Sequence, residues 1–169
     1  MFIRQEEPKD YDVVYRVVKC AFENADRADG NEQDLVNALR KGESFIPELS
    51  LVAEVNGTVA AHIMFTRATV GNNTVLALAP LSVLPQYQRK GIGAALINEG
   101  HGIAKRLGYE YSVVLGSAEY YPRMGYAPAD LFGIHPPFDV PRENFMACRI
   151  IDSAADISGI MRYASEFNI

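Results

Sequence analysis

The sequence is poor in cysteine and histidine, the side chains that most often bind zinc. Cys20 and Cys148 are the only two cysteines, and they lie far apart in the chain. Two distant cysteines predict neither a disulfide framework nor a zinc cluster. His101 and His135 show no metal-ligand spacing with each other or with a carboxylate. We therefore expect no bound metal.

Long apolar runs are also absent. No stretch approaches the roughly 18 apolar residues needed to span a bilayer. The first ten residues, MFIRQEEPKD, are charged almost from the start, whereas a secretory leader has an apolar core. The sequence therefore predicts a cytoplasmic protein with no membrane partner.

Positive charge is scarcer than negative charge. The 16 Lys and Arg residues against 21 Asp and Glu residues give a net charge of −5. Domains that bind nucleic acid are usually basic, so no nucleic-acid partner is predicted. An acidic surface suits a cationic substrate, but it also keeps a protein in solution, and composition does not separate the two explanations.

The first half of the chain alternates strand and helix patterns. A short strand over 2–7 precedes an amphipathic helix from Pro8 to Phe22. A second helix is expected between Asn31, as its N-cap, and Gly42. Residues 50–65 then form a predicted hairpin, because the Asn-Gly pair at its centre suits a type I′ turn.

The second half continues the same mixture. After a turn at 71–73 we expect a third long strand to about 84, a helix from Ile92 to Leu107 closed by Gly108, strands at 111–116 and 145–150, and a C-terminal helix after Asp156. This order predicts a single-domain α+β fold over residues 1–169, with one largely antiparallel sheet flanked by helices on both faces.

The segment from Gln88 to Gly93 has the pattern Gln-x-x-Gly-x-Gly and precedes a predicted helix. Anions bind at helix starts, where free N–H groups and the helix dipole favour negative charge. The two glycines leave the backbone open to a phosphate, and an Arg-Lys pair adds positive charge. The Walker A pattern is absent, and Leu96 stands where a dinucleotide fingerprint needs its third glycine. As a string alone, the pattern also suits an ordinary strand-to-helix turn.

Pro80 interrupts the strand that leads into this loop, LALAPLSVL. Proline cannot donate a ladder hydrogen bond, so it indicates either an edge strand or a break in pairing. A break would leave the backbone of residues 81–83 free to pair with something else. Directly before an anion-binding loop, that arrangement favours a slot for an extended ligand that contains amides.

Two longer stretches carry a family resemblance. PLSVLPQYQRKGIGAALI and the later YYPRMGY resemble the GNAT superfamily of acyl-CoA-dependent N-acetyltransferases, and VVLGSAEYYPRMGYAPA is similar to its bacterial YhbS-like branch of predicted acetyltransferases. The match is strongest over residues 74–128. It implies a GNAT-like fold and an enzyme that moves acetyl from acetyl-CoA, its co-substrate, to a primary amine that attacks the thioester directly.

The resemblance also implies a cofactor site. In the family, the strand before the glycine loop pairs with the pantetheine arm, and the loop wraps the pyrophosphate. The matching residues here are Leu81, Ser82, Val83, Gln88, Arg89, Lys90, Gly91, Ile92, Gly93 and Ala94.

Tyr121 matches the family's acid, because it lies four residues before Gly125 in the Y-x-x-x-G turn. A phenol there can protonate the leaving sulfur. Its neighbour Tyr120 matches an aromatic core position. Both tyrosines could instead be packing residues.

The general base is not evident from the sequence. Many relatives carry an acid in the strand before the loop, but TVLALAPLSV contains no Asp, Glu or His. A water chain to a carboxylate would suffice, with Glu32, Asp34 or Glu119 at its end, and His62 is a further candidate. Each also has an ordinary explanation, a solvated helix face for the carboxylates and a core position for the histidine.

The acceptor and the assembly stay open as well. We expect the amine near residues 8–41 and the loop 132–141. The acidic residues in the first of these segments, which either hold a cationic amine or form a solvated face, are Glu23, Asp26, Asp29, Glu32 and Asp34. The missing strand acid also suits a non-catalytic acyl-CoA-binding or regulatory module. The late strand FMACRI is either a homodimer interface or simply the last strand.

Overall fold

Residues 1–25 and 28–169, the part of the chain that this computed structural model describes, contain nine strands, three α-helices and six short 3-10 helices. The strands are β1 (Phe2–Gln5), β2 (Phe45–Val55), β3 (Thr58–Val70), β4 (Asn73–Val83), β5 (Tyr111–Leu115), β6 (Ala127–Pro128), β7 (Ile134–His135), β8 (Phe145–Arg149) and β9 (Gly159–Arg162). The helices are α1 (Tyr11–Phe22), α2 (Glu32–Arg40) and α3 (Ile92–Leu107).

The strands form one sheet in the order β1-β2-β3-β4-β5-β8-β6, with β9 beside the end of β3. Its neighbours are antiparallel apart from the parallel pairs β4–β5 and β7–β9. The predicted hairpin is β2–β3, and Asn56 (φ 52°) and Gly57 (φ 80°) both adopt the positive φ of a type I′ turn. The predicted α+β class and largely antiparallel sheet are confirmed.

Helices cover both faces of the sheet, as predicted. Successive strand residues point to opposite faces, so Ile63 and Met64 of β3 belong to different layers. Ile63 packs under α3 in a cluster with Leu96. Met64 packs with Val14 of α1 and Leu39 of α2 on the other face. Each fully buried aliphatic side chain contributes about 2 kcal/mol of hydrophobic stabilisation, so both helical layers are firmly attached.

The predicted C-terminal helix after Asp156 is wrong, because β9 lies there. Ile160 is 60% exposed while Met161 is fully buried, which is the two-residue alternation of a strand. β3 continues beyond its last pair with β2, and its end is free to pair with β9 at Val70 and Met161. The prediction that FMACRI could be the last strand is also wrong. That strand is β8, which pairs with β5 on one side and β6 on the other.

α2 starts where it was predicted to start, but the predicted N-cap residue does not cap it with a side-chain hydrogen bond. Asn31 precedes the helix, yet its side chain makes no capping hydrogen bond. The carboxylate of Glu32 instead accepts hydrogen bonds from the backbone N–H groups of Asp29 (2.7 Å) and Gly30 (3.1 Å). Part of the acidic cluster is therefore used to fix the chain entering α2.

Both cysteines are free thiols, Cys20 exposed and Cys148 buried. Residues 1–25 and 28–169 contain no group of three or more His, Cys, Asp or Glu side chains placed to hold a metal ion. None of the helices in that part of the chain is both long enough and apolar enough to cross a membrane.

A partly buried ion pair ties β1 to the start of α1 and gives a first prediction. Arg4 donates to both carboxylate oxygens of Asp10, at 2.7 and 2.8 Å, and holds the pKa of Asp10 below its usual value of 3.8. A depressed folded-state pKa stabilises the fold above pH 3.8, and this contribution is lost as the pH falls through the folded value.

We expect Asp10→Asn to lower the free energy of unfolding by about 2 kcal/mol at pH 7, measured by urea denaturation, because Arg4 loses its charged partner. The difference from the wild type should shrink as the pH falls below about 3.8. Asp152→Asn is the control, since Asp152 is exposed and makes no ion pair among the described residues. A penalty for Asp10→Asn that does not change with pH would contradict this account.

Candidate functional site

β4 contains a bulge where its sequence contains proline. Two β4 residues, Ala79 and Pro80, lie opposite the single Met64 of β3. A bulge is the usual place for a proline inside a sheet, because the missing N–H then leaves no gap in the ladder. The predicted break at Pro80 is confirmed. The alternative of an edge strand is wrong, since β4 lies between β3 and β5.

β4 and β5 also separate soon after they meet. Their parallel pairing is confined to two pairs, the second of which joins Ala77 to Val113. Beyond that point no strand in the described part of the chain pairs with the β5-facing edge of β4. The sheet therefore opens into a cleft between the end of β4 and the end of β5.

The free edge of β4 presents backbone groups to this cleft. The N–H of Leu84 donates to the carbonyl of Ala60 on β3, at 2.9 Å. In an antiparallel ladder the direction of the backbone groups alternates, so Leu81 and Val83 turn theirs towards the cleft. Ser82, between them, turns its backbone groups towards β3. Gln88 donates its side-chain N–H to the carbonyl of Val83, at 3.0 Å, and so ties the following loop to this edge.

The glycine loop leads directly into α3. Gly91 has φ 83°, and a side chain added there would meet no atom within 4 Å, so the loop is open to solvent. α3 begins at Ile92. Its first turn is closed by a hydrogen bond from the N–H of Ala95 to the carbonyl of Gly91, at 3.1 Å. The N–H groups of the first turn therefore point out of the helix, where they and the helix dipole favour an anion.

The cleft and the loop form one cavity of about 820 Å³. Of the predicted cofactor-binding residues, those that line it are Leu81, Val83, Gln88, Arg89, Gly91, Ile92, Gly93 and Ala94. Ser82 and Lys90 do not line it. Sequence reasoning missed five further lining residues, which are Tyr87, Asn98, Tyr120, Arg123 and Met124. Tyr120, Arg123 and Met124 belong to the tyrosine motif, but nothing in the motif shows that their side chains reach the loop.

The two tyrosines of the motif lie beside the cleft, in the turn that follows β5. The ring of Tyr121 packs against Gly116, which follows β5. Tyr120 stands edge-on to it, with ring centroids 5.1 Å apart, and its hydroxyl lies against Gly93 of α3. Tyr120 therefore lines the cavity, whereas Tyr121 lies behind it. Burial raises the pKa of Tyr121, so its phenol keeps its proton at neutral pH.

A third tyrosine, Tyr126, anchors the tyrosine turn to α3 and β5. The buried hydroxyl of Tyr126 lies 2.9 Å from Nε2 of His101 on α3 and 2.8 Å from the hydroxyl of Ser112 on β5. Its ring stands edge-on to Tyr121, with centroids 5.7 Å apart. Burial lowers the pKa of His101 to about 4, so the imidazole is neutral here. This network joins α3, β5 and the tyrosine turn. It could not be predicted from the spacing of these residues in the sequence.

None of the proposed bases lines the cavity. Glu32 is engaged at the start of α2, and Asp34 accepts a hydrogen bond from the hydroxyl of Tyr15, at 3.0 Å. Glu119 is exposed. Asp26, which was predicted as part of the acidic cluster and not as a base, lies outside the described residues. His62 is completely buried, on the sheet face opposite to α3, and burial lowers its pKa to about 4.

A strand that opens beside a glycine loop, followed by a tyrosine turn, is the arrangement that the resemblance to acyl-CoA-dependent acetyltransferases implies. The model of the acetyltransferase (GNAT) family matches residues 12–126. The chain belongs to this family and is an acetyltransferase.

Individual relatives agree with this assignment. The N-acetyltransferase YjhQ of Escherichia coli is 41% identical over 127 residues, which are 72% of this chain and 70% of that protein. The E. coli N-acetyltransferase YhbS is 28% identical over 99% of each chain.

Two solved structures share the fold. The crystal structure of E. coli YhbS in complex with CoA has a TM-score of 0.89 and 27% identity, and the match covers 99% of this chain and 92% of that one. A GNAT family acetyltransferase from Brucella melitensis in complex with acetyl-CoA has a TM-score of 0.82 and 31% identity, with 98% and 97% covered. The predicted GNAT-like fold and the resemblance to YhbS are confirmed.

Proposed function

We propose that this protein transfers the acetyl group of acetyl-CoA to a primary amine by direct attack of the amine on the thioester. The observation that carries the proposal is the opening between β4 and β5, which runs without a break into the glycine loop at the start of α3. Its free backbone groups and the glycine loop at its end suit a ligand that contains amides and ends in phosphates. The relatives with CoA and acetyl-CoA bound support the same donor.

Donor binding uses two sets of backbone groups in this proposal. Leu81 and Val83 pair with the amides of the pantetheine arm, and Ser82 shapes the strand between them. The N–H groups of the loop and of the first turn of α3 hold the pyrophosphate, and Arg89 and Lys90 add positive charge beside it. The residues of this set are Gln88, Arg89, Lys90, Gly91, Ile92, Gly93 and Ala94.

The reaction needs three proton transfers: one off the ammonium, one from the acid to the leaving sulfur, and one from the attacking nitrogen that restores the acid. An amine with a pKa near 10 arrives protonated at pH 7 and must lose one proton before its lone pair can attack the carbonyl carbon. The carbon–nitrogen bond forms, negative charge develops on the carbonyl oxygen, and the carbon–sulfur bond then breaks. Tyr121 gives its phenolic proton to the departing thiolate. The second proton on nitrogen leaves as the amide forms and restores the phenol.

The test is a pair of assays on the wild-type protein. We expect acetyl-CoA and CoA to raise the melting temperature, while ATP and NAD do not. Acetyl-CoA should release its thiol only when a suitable amine is present. We expect at least one member of a panel of spermidine, an aminoglycoside and lysine-containing peptides to act as that amine. Binding without turnover of any amine would favour the non-catalytic acyl-CoA-binding module. No stabilisation by either CoA ligand would overturn the proposed donor.

A further inference from the structure

The cavity that contains the glycine loop has a second wall. It is formed by the tyrosine turn, whose residues Tyr120, Arg123 and Met124 line the same cavity as the first turn of α3. The turn ends at Gly125, which has φ 93° and whose N–H donates to the carbonyl of Pro122, at 3.2 Å. The side chains of this wall therefore project from a hydrogen-bonded turn rather than from an open loop.

Arg123 is the cation of this second wall. Its Nε donates to the carbonyl of Glu119, four residues earlier, at 3.3 Å. Among the described residues, its two terminal nitrogens make no hydrogen bond and its guanidinium forms no ion pair. Two such nitrogens can bind two oxygens of one phosphate at once. The part of the chain that the structure describes does not use this capacity, although the side chain borders a cavity proposed to hold phosphates.

A tyrosine ring connects Arg123 to the start of α3. The guanidinium carbon of Arg123 lies 5.9 Å from the centre of the Tyr120 ring. The hydroxyl at the far end of that ring lies against Gly93, in the first turn of the helix. Burial raises the pKa of Tyr120 and the positive charge of Arg123 opposes this rise, so the cation acts on the ring. The guanidinium and the N–H groups at the start of α3 are therefore separated by one tyrosine side chain.

The charges of CoA favour two separate positions for its phosphates. Its nucleotide end carries a pyrophosphate and, on the 3′ carbon of the ribose, a further phosphate. The N–H groups of the glycine loop and of the first turn of α3 converge at one point, which suits the pyrophosphate. A phosphate monoester has a second pKa of about 6 and is largely a dianion at pH 7. It therefore gains more from a charged donor than from neutral N–H groups.

We propose that Arg123 binds the 3′-phosphate of CoA and makes the protein prefer CoA to dephospho-CoA, which lacks only this group. The inference rests on the donor named in the proposed function. Arg89 also lines the cavity, but it belongs to the glycine loop, where its charge lies beside the proposed pyrophosphate site. Arg123 stands on the second wall, on the other side of the Tyr120 ring, and there it suits a phosphate that is separate from the pyrophosphate.

The inference is tested by titrating CoA and dephospho-CoA into the full chain in a calorimeter. We expect the wild type to bind CoA at least about 10-fold more tightly than dephospho-CoA, the effect of a hydrogen bond to a charged group. Arg123→Gln should raise the Kd for CoA by at least about 10-fold and leave the Kd for dephospho-CoA within about 2-fold of the wild type. Normal binding of dephospho-CoA would also show that the variant is folded with its cavity intact.

Arg89→Gln is the matched comparison, because it removes the same charge from the same cavity. Its Kd should rise by a similar factor for both ligands, since both contain the pyrophosphate. Three results would overturn the inference and leave the proposed donor intact: equal affinity of the wild type for the two ligands, an equal effect of Arg123→Gln on both, or a loss confined to CoA in Arg89→Gln. A wild type that binds neither CoA nor acetyl-CoA would overturn the proposed donor, and the inference with it.

Discussion

Gly91→Glu should abolish binding of acetyl-CoA while leaving the protein folded. Gly91 has φ 83° and open space around it, so a larger residue costs about 1 kcal/mol of backbone strain without a clash. A carboxylate at this position would occupy the proposed phosphate site and repel the ligand. Loss of two charge-assisted hydrogen bonds alone corresponds to an increase in Kd of at least about 100-fold, measured by isothermal titration calorimetry.

The matched control for this experiment lies at the other end of the same helix. Gly108 closes α3 with φ 90° and also has no atom within 4 Å of an added Cβ. Gly108→Glu therefore carries a similar backbone cost far from the cavity, and its Kd for acetyl-CoA should stay within about 2-fold of the wild type. If Gly91→Glu binds acetyl-CoA as tightly as Gly108→Glu does, the phosphates do not bind at this loop.

Tyr121→Phe should lower kcat by about 100-fold or more and change the KM for acetyl-CoA little. The substitution keeps the ring that packs on Gly116 and removes only the proposed proton donor for the leaving sulfur. Burial raises the pKa of Tyr121, so the phenol should remain protonated, and the wild-type kcat should not fall between pH 8 and pH 10 through loss of this proton. Steady-state thiol release across this pH range provides both measurements.

The adjacent tyrosine is the natural comparison. Tyr120→Phe removes a hydroxyl that lies against Gly93 and lines the cavity. We therefore expect a higher KM for acetyl-CoA and a kcat within a few-fold of the wild type. The opposite result, a normal kcat in Tyr121→Phe and a large loss in Tyr120→Phe, would assign the acid to Tyr120.

Local chemistry made much of the fold predictable. The Asn56-Gly57 turn, the bulge at Pro80 and both ends of α3 depend on residues whose backbone preferences are strong in any context. The glycine loop was predictable for the same reason, because its turn requires the positive φ that Gly91 adopts. The strand at the end of the chain was not predictable. β9 forms because β3 extends beyond its last pair with β2, and this depends on segments that are distant in the sequence.

The same distinction applies to the site. The motif identified the tyrosine turn but not which of its side chains reach the cavity, because that depends on the direction in which the turn leaves β5. Buried polar contacts also join residues far apart in the sequence, such as Glu6 and Ser50, whose side chains form a hydrogen bond although they are 44 positions apart. Each of these residues has an ordinary local explanation, and only the sheet shows that they meet.

The bulge at Ala79 and Pro80 changes which face of the sheet the later residues of β4 point to. In an unbroken strand, odd and even positions keep their faces, so Leu78 and Ser82 would point the same way. The extra residue reverses this: Leu78 and Leu81 both pack on the α3 side, and Ser82 points to the opposite layer. The bulge therefore places the side chain of Leu81 on the α3 face of β4 and the hydroxyl of Ser82 on the opposite face. Deleting one of the two bulged residues would exchange the faces of the β4 residues that follow, although those residues themselves would be unchanged.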